Sequence, residues 1–175
     1  QLGETWSAPR IFRIPNKTRS KRGDIDSDKY VAVMGGGLSL NDACAGSAVF
    51  LVDLEDRYNP GAIYGAEENG GPISIVDTDP LGITIGNSVI ATPNGSDINN
   101  SIPTTPLTIT PDSAFSIPWR GAMVYVNDHE GKITKINLTN SVKNDADLFD
   151  QTTLFRLNAS TTNARYTYFS MDAGV

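Results

Sequence analysis

Asp24-Ile-Asp-Ser-Asp28 sets three carboxylates at alternate positions, the spacing used by loops that hold hard cations. Ca²⁺ takes roughly six to eight oxygen ligands, and alternating aspartates are an economical way to supply several of them. An EF-hand-like loop needs Gly at its sixth position and Glu at its twelfth, where this chain has Lys29 and Gly35. One reading left open is a shorter loop with Asp24, Asp26 and Asp28 on Ca²⁺. The competing reading is a solvated acidic turn. Overlapping these residues is Arg22-Gly23-Asp24, the tripeptide that integrin-type receptors recognise, with guanidinium and carboxylate held apart across a glycine. The two readings are coupled, because a cation on Asp24 withdraws that carboxylate from a receptor.

Other reactive residue types are weaker candidates. Cys44 is the sole cysteine and His129 the sole histidine, far apart in sequence, so a thiolate-imidazole pair is not expected and a packed or loop thiol is. Asp128, His129 and Glu130 are consecutive in a hairpin turn, where catalytic convergence is improbable. Gly35-Gly-Gly37 lacks the Gly-Lys-Ser/Thr of a phosphate cradle and reads instead as close strand packing or a tight turn. The basic run Lys17, Arg19, Lys21 and Arg22 passes directly into the acidic stretch, as a solvated loop does. Trp6 and Trp119 are expected to be packing residues. Asn-X-Ser/Thr triplets begin at Asn16, Asn94, Asn137 and Asn158, and in a chain rich in Asn and Thr they are weak evidence of glycosylation.

The elements that would position these residues are strands. β-Branched and aromatic runs bounded by Gly, Pro, Asn and Asp predict strands over 11–14, 30–34, 49–54, 62–64, 73–76, 89–91, 107–109, 122–126, 132–138, 153–157 and 165–169. Residues 49–54 form a continuous apolar run, which predicts burial on both faces. Residues 132–138 alternate, with Thr134, Ile136 and Leu138 on one apolar face. The stretch 67–116, rich in Pro, Thr, Asn, Ser and Gly, reads as a loop-rich insertion with short strands, and the one helical candidate spans 141–149. Two segments echo each other: Gly46-Ser-Ala-Val-Phe-Leu-Val-Asp-Leu54 and Gly131-Lys-Ile-Thr-Lys-Ile-Asn-Leu138 both run from a glycine through a strand to Asp or Asn before Leu. This is the plan of a repeated blade hairpin. The predicted fold is therefore all-β, a partial β-propeller over 1–175, with about three or four blades at roughly 40–50 residues each.

The same segments carry a family resemblance. Trp6-Ser-Ala-Pro9, Lys29-Tyr-Val-Ala-Val-Met-Gly-Gly-Gly37 and Gly46-Ser-Ala-Val-Phe-Leu-Val-Asp53 are similar to the C-terminal propeller of the type IV pilus-associated PilC/PilY proteins. The order continues through Ser101-Ile-Pro103, Val124-Tyr-Val-Asn-Asp-His-Glu-Gly131 and Arg165-Tyr-Thr-Tyr-Phe169. The resemblance implies an exported, non-enzymatic protein of the cell surface, outer membrane or pilus tip. It further implies a part in pilus assembly and adhesion, with pilins, pilus-tip proteins or a host receptor as partners. The family often has an Asp-rich loop before the strand matching 122–126. Here residues 108–120 lack that acidic series, so Ca²⁺ is not expected there.

Composition narrows the function classes without selecting this one. A net charge of −6 argues against a general nucleic-acid binder, which needs clustered Lys and Arg. No apolar run approaches the roughly 20 residues of a membrane-spanning helix, and no signal-peptide pattern opens the sequence. A chain running from Gln1 to Val175 reads as a piece of a longer protein or a processed product. Two alternatives stay open. One is a dehydrogenase propeller using pyrroloquinoline quinone, although such blades usually repeat Trp and this chain has two. The other is a structural propeller within a surface assembly.

Overall fold

The computed structural model describes residues 3–16, 21, 23–38, 46, 48–59, 61, 73–74, 84–85, 88–89, 101–111, 119–129, 131–140, 148–149, 151–157 and 166–173. Among these residues ten strands run in chain order: β1 (Arg10–Ile14), β2 (Lys29–Gly35), β3 (Ala48–Asp53), β4 (Ile73–Ser74), β5 (Thr84–Ile85), β6 (Ser88–Val89), β7 (Leu107–Ile109), β8 (Gly121–Asn127), β9 (Lys132–Thr139) and β10 (Gln151–Arg156). A three-residue 3-10 turn, Ile25–Ser27, precedes β2. The chain is all-β. β1 to β4 form one antiparallel sheet in sequence order, β7 to β10 form a second, and β5 pairs with β6. Both four-stranded sheets are up-and-down meanders, and among the described residues neither closes on itself.

Strand register explains which residues meet. Pairing Phe12 with Val31, Val31 with Asp53, and Val33 with Leu51 places Phe12, Ile14, Val31, Val33, Val49 and Leu51 on one face. In the second sheet Ala122 pairs with Leu138 and Val124 with Ile136, so these residues and Val126 share a face. Both sets fall in one buried cluster, completed by Ile102, Leu148 and Phe149, and β1 lies against β8. Each sheet thus covers the other's apolar side. The alternation expected in β9 holds, with Thr134, Ile136 and Leu138 buried and Ile133 and Lys135 half-exposed. Residues of β3 are buried on both faces, Val49 and Leu51 inward and Ala48 and Phe50 on the opposite side.

Glycine placement follows backbone crowding. Gly37 has a φ of +99° and donates its N–H to the Ile102 carbonyl at 2.9 Å. A side chain there would meet the Glu4 and Gly3 backbone at 2.8 Å, so the triplet is architectural, as the sequence suggests.

Three expectations change. Trp6 is not a packing residue: it is 66% exposed. Its neighbours Thr5 and Ser7 bond the edge of β2, Thr5 Oγ1 donating to the Gly35 carbonyl and Gly35 N–H donating to Ser7 Oγ. In an extended chain successive side chains point to opposite sides, so Trp6 turns outward. Described residues of the strand expected over 165–169 form no strand. Tyr166 and Tyr168 instead pack on His129, which fixes them side-on to the β8–β9 turn. Leu148 and Phe149 form a turn rather than a helix end, with Phe149 at φ 73°. The remainder of that helical candidate, together with the strand expected over 62–64 and Cys44, lies outside the described residues.

Leu138 is fully buried between the sheets, so Leu138→Ala lowers unfolding free energy in urea by about 2–5 kcal/mol. Tyr58→Ala, at an 85%-exposed site, changes it by no more than about 0.5 kcal/mol.

Candidate functional site

The acidic loop is built locally. Gly23 lies in a turn and Asp24 caps the 3-10 segment, its Oδ1 accepting the Asp26 N–H at 3.0 Å. Ser27 Oγ donates to the carbonyls of Lys21 and Asp24, and Asp28 N–H donates to the Ile25 carbonyl at 3.2 Å. A 3-10 segment has about three residues per turn, so side chains two apart diverge around the axis rather than share a side. This separates the three aspartates: Asp24 caps, Asp26 is exposed, and Asp28 is buried. Among the described residues no three His, Cys, Asp or Glu side chains gather as a cation site. Arg22 lies outside the described residues, while Gly23 and Asp24 sit at the exposed end of the loop.

Asp28 has a partner that no local reading could supply. Its carboxylate takes two hydrogen bonds from Arg120, Nε to Oδ2 at 2.8 Å and Nη2 to Oδ1 at 3.0 Å. Such a forked, charge-assisted pair is among the stronger polar contacts available to a protein. Arg120 is held in turn by Asn140, which accepts its backbone N–H and donates to its carbonyl at 3.1 Å. Arg13 approaches the same carboxylate at 3.9 Å, donates Nη2 to the Ile25 carbonyl at 3.0 Å, and lies over the Tyr30 ring. The loop is therefore pinned to β1 on one side and to the entry of β8 on the other. A smaller version of this arrangement closes the first sheet, where Lys29 Nζ lies 3.4 Å from Asp53 Oδ2.

A second polar group occupies the β8–β9 turn. Asp128 Oδ1 accepts the Lys132 N–H at 2.8 Å, and Lys132 Nζ lies 3.8 Å from Asp128 Oδ2, with both side chains almost wholly buried. His129 stacks on Tyr166 at 4.6 Å and meets Tyr168 edge-on at 4.8 Å. The backbone closes this contact: His129 N–H donates to the Ser101 carbonyl, Thr167 N–H donates to the His129 carbonyl, and Asn127 Nδ2 donates to the Phe169 carbonyl. Burial lowers the imidazole's pKa below 6.5, opposed by its bond to the Thr167 backbone. Residues 128 and 129, expected in an ordinary hairpin turn, are thus buried beneath the C-terminal segment. Among the described residues His129 Nδ1 has no hydrogen-bond partner. Glu130 lies outside the described residues.

Arg120, Arg13 and Trp119 border the acidic loop and were not anticipated as site residues. In the sequence Arg13 lies inside the strand predicted over 11–14 and Arg120 lies two residues before the one over 122–126, placements that any arginine can have. Comparison with known protein families, characterised proteins and solved structures finds no match to the chain.

Two predictions follow from these geometries. Asp28→Asn leaves Arg120, itself partly exposed, without its counter-charge and lowers unfolding free energy by about 3 kcal/mol, whereas Asp26→Asn changes it by no more than about 0.5 kcal/mol. His129 binds its proton more weakly folded than unfolded, so its contribution is complete above pH 6.5 and is lost as pH falls from there through the lowered native value. Unfolding free energies measured from pH 8 to pH 5 therefore decline in the acid half of that range for the wild type, and His129→Phe flattens this part of the profile.

Proposed function

We propose that the chain is a non-enzymatic binding module of an exported surface assembly, a partial β-propeller of the type IV pilus-associated kind. In this role it presents loops to a pilin, a pilus-tip protein or a host surface. The observation that carries this reading is a repeated plan. Each four-stranded meander has, before its third strand, a glycine at positive φ: Gly46 at 83° and Gly131 at 79°. Near the end of each third strand an Asx side chain accepts the backbone N–H two residues on, Asp53 from Glu55 at 2.8 Å and Asn137 from Thr139 at 3.0 Å. Repetition of one meander with one punctuation is what propeller blades are made of. The echo is one residue shorter in the second copy, so Asp53 lies on the inner face of its sheet and Asn137 on the outer face of its own.

A rigid sheet pair carrying a pinned, exposed loop suits binding better than turnover. The ordered resemblance of segments from Trp6 to Phe169 supplies the pilus context. Purified protein is expected to sediment with isolated type IV pili and not with flagellar filaments. Absence of pilus binding by the folded protein, or quinone-dependent dehydrogenase activity on adding pyrroloquinoline quinone, overturns the reading.

A further inference from the structure

Between the acidic loop and the start of β8 lies a cleft of about 440 Å³, inside the roughly 300–1,000 Å³ span of small-ligand sites. Its apolar walls are Ile11 of β1, Ile25 of the 3-10 turn, and Pro111 and Trp119 from the passage between β7 and β8. Its polar end is Asp28 set between Arg13 and Arg120. Two cations and one anion give that end a charge of +1 (2 − 1), within a chain of net charge −6.

The two arginines are committed differently. Arg120 turns its fork onto Asp28. Arg13 has a side chain 42% exposed and uses Nη2 on the Ile25 carbonyl, so among the described residues its Nε and Nη1 donate to nothing. Beside it, Ile11 is 65% exposed and Ile25 53% exposed. A guanidinium with uncommitted donors, bordered by uncovered branched aliphatic side chains and an indole, is built for a ligand that combines one negative charge with an apolar body.

We infer that this cleft binds a carboxylate attached to an aromatic or branched aliphatic group. The carboxylate takes the uncommitted N–H groups of Arg13, and the apolar body lies against Ile11, Ile25 and Trp119. A single charge matches the local +1, whereas a polyanion is repelled by the acidic chain around it. The carboxylate has two sources of identical chemistry, a free aromatic acid or the C-terminus of a peptide ending in an apolar residue. The inference rests on the reading of the chain as a binding module and names the chemistry that its loop-side cleft accepts.

The test uses Trp119 fluorescence in a Trp6→Phe background, since these are the only two tryptophans. The probes are N-acetylphenylalanine, its amide, and a hexapeptide ending in Phe with a free or amidated C-terminus. Both carboxylates are expected to saturate the signal, and both amides to bind at least about tenfold more weakly, as loss of a charge-assisted contact implies. Arg13→Gln reduces affinity by a similar factor in a protein that stays folded: its midpoint falls modestly through loss of the Ile25 hydrogen bond, while the stronger Asp28–Arg120 pair still holds the loop. Arg13→Lys loses less, and Ile11→Ser weakens acid and amide alike. A peptide that binds about tenfold tighter than the free acid identifies the peptide source, and equal affinity identifies the free acid. Equal binding of acid and amide, indifference to Arg13→Gln, or no saturable response overturns the inference. Pilus binding that persists in Arg13→Gln alongside any of those results leaves the surface-module reading standing, whereas ligand binding without pilus association sinks that reading alone.

Discussion

Two apolar sheet faces that cover each other are the constraint on which this molecule depends. A four-stranded meander has one side that cannot remain in water, and an isolated small sheet is marginal without something packed against that side. Here the inner faces of β1 to β3 and of β8 and β9 fall in one cluster with Ile102, Leu148 and Phe149. Their mutual burial fixes the spacing of the two sheets. That spacing in turn decides which polar side chains at the rims can reach one another.

Arg120 and Asp28 are 92 residues apart in sequence and meet because β1 and β8 are neighbours across the core. Their pair ties an otherwise local loop to the second sheet and leaves a cleft where the loop, β1 and the entry of β8 do not fill space. The same logic governs the opposite rim, where the segment 166–170 lies across the β8–β9 turn and encloses His129. In both places the strands supply rigidity and the connecting segments supply chemistry, the usual division of labour in β proteins.

Much of the strand layout was legible because it is written in nearest neighbours. Alternation in β9, the continuous apolar run of β3 and the breaks around β7 are properties of consecutive residues, and the structure places strands there. The acidic loop was legible as a polar turn. Its fate was not, because the divergence of Asp24, Asp26 and Asp28 follows from a 3-10 turn, and the burial of Asp28 follows from a distant arginine. Tyr166 and Tyr168 read as strand residues by composition, yet an available imidazole face on the β8–β9 turn holds them outside any ladder. Trp6 shows the reverse case. A residue type usually buried is exposed because its two neighbours have the better hydrogen bonds.

The sequence by itself determined that this chain is built of short antiparallel strands, where most of them run, and that glycine and Asx residues punctuate them at corresponding places. Periodicity and turn chemistry act over a few residues, so they survive without knowledge of the whole. Only the tertiary structure decided that Asp28 faces two arginines, that His129 is buried under two tyrosines, and that Ile11, Ile25 and Trp119 border one cleft. Those outcomes depend on which remote segments the shared core brings together, and a partner's identity is not encoded in the residues adjacent to either member of the pair.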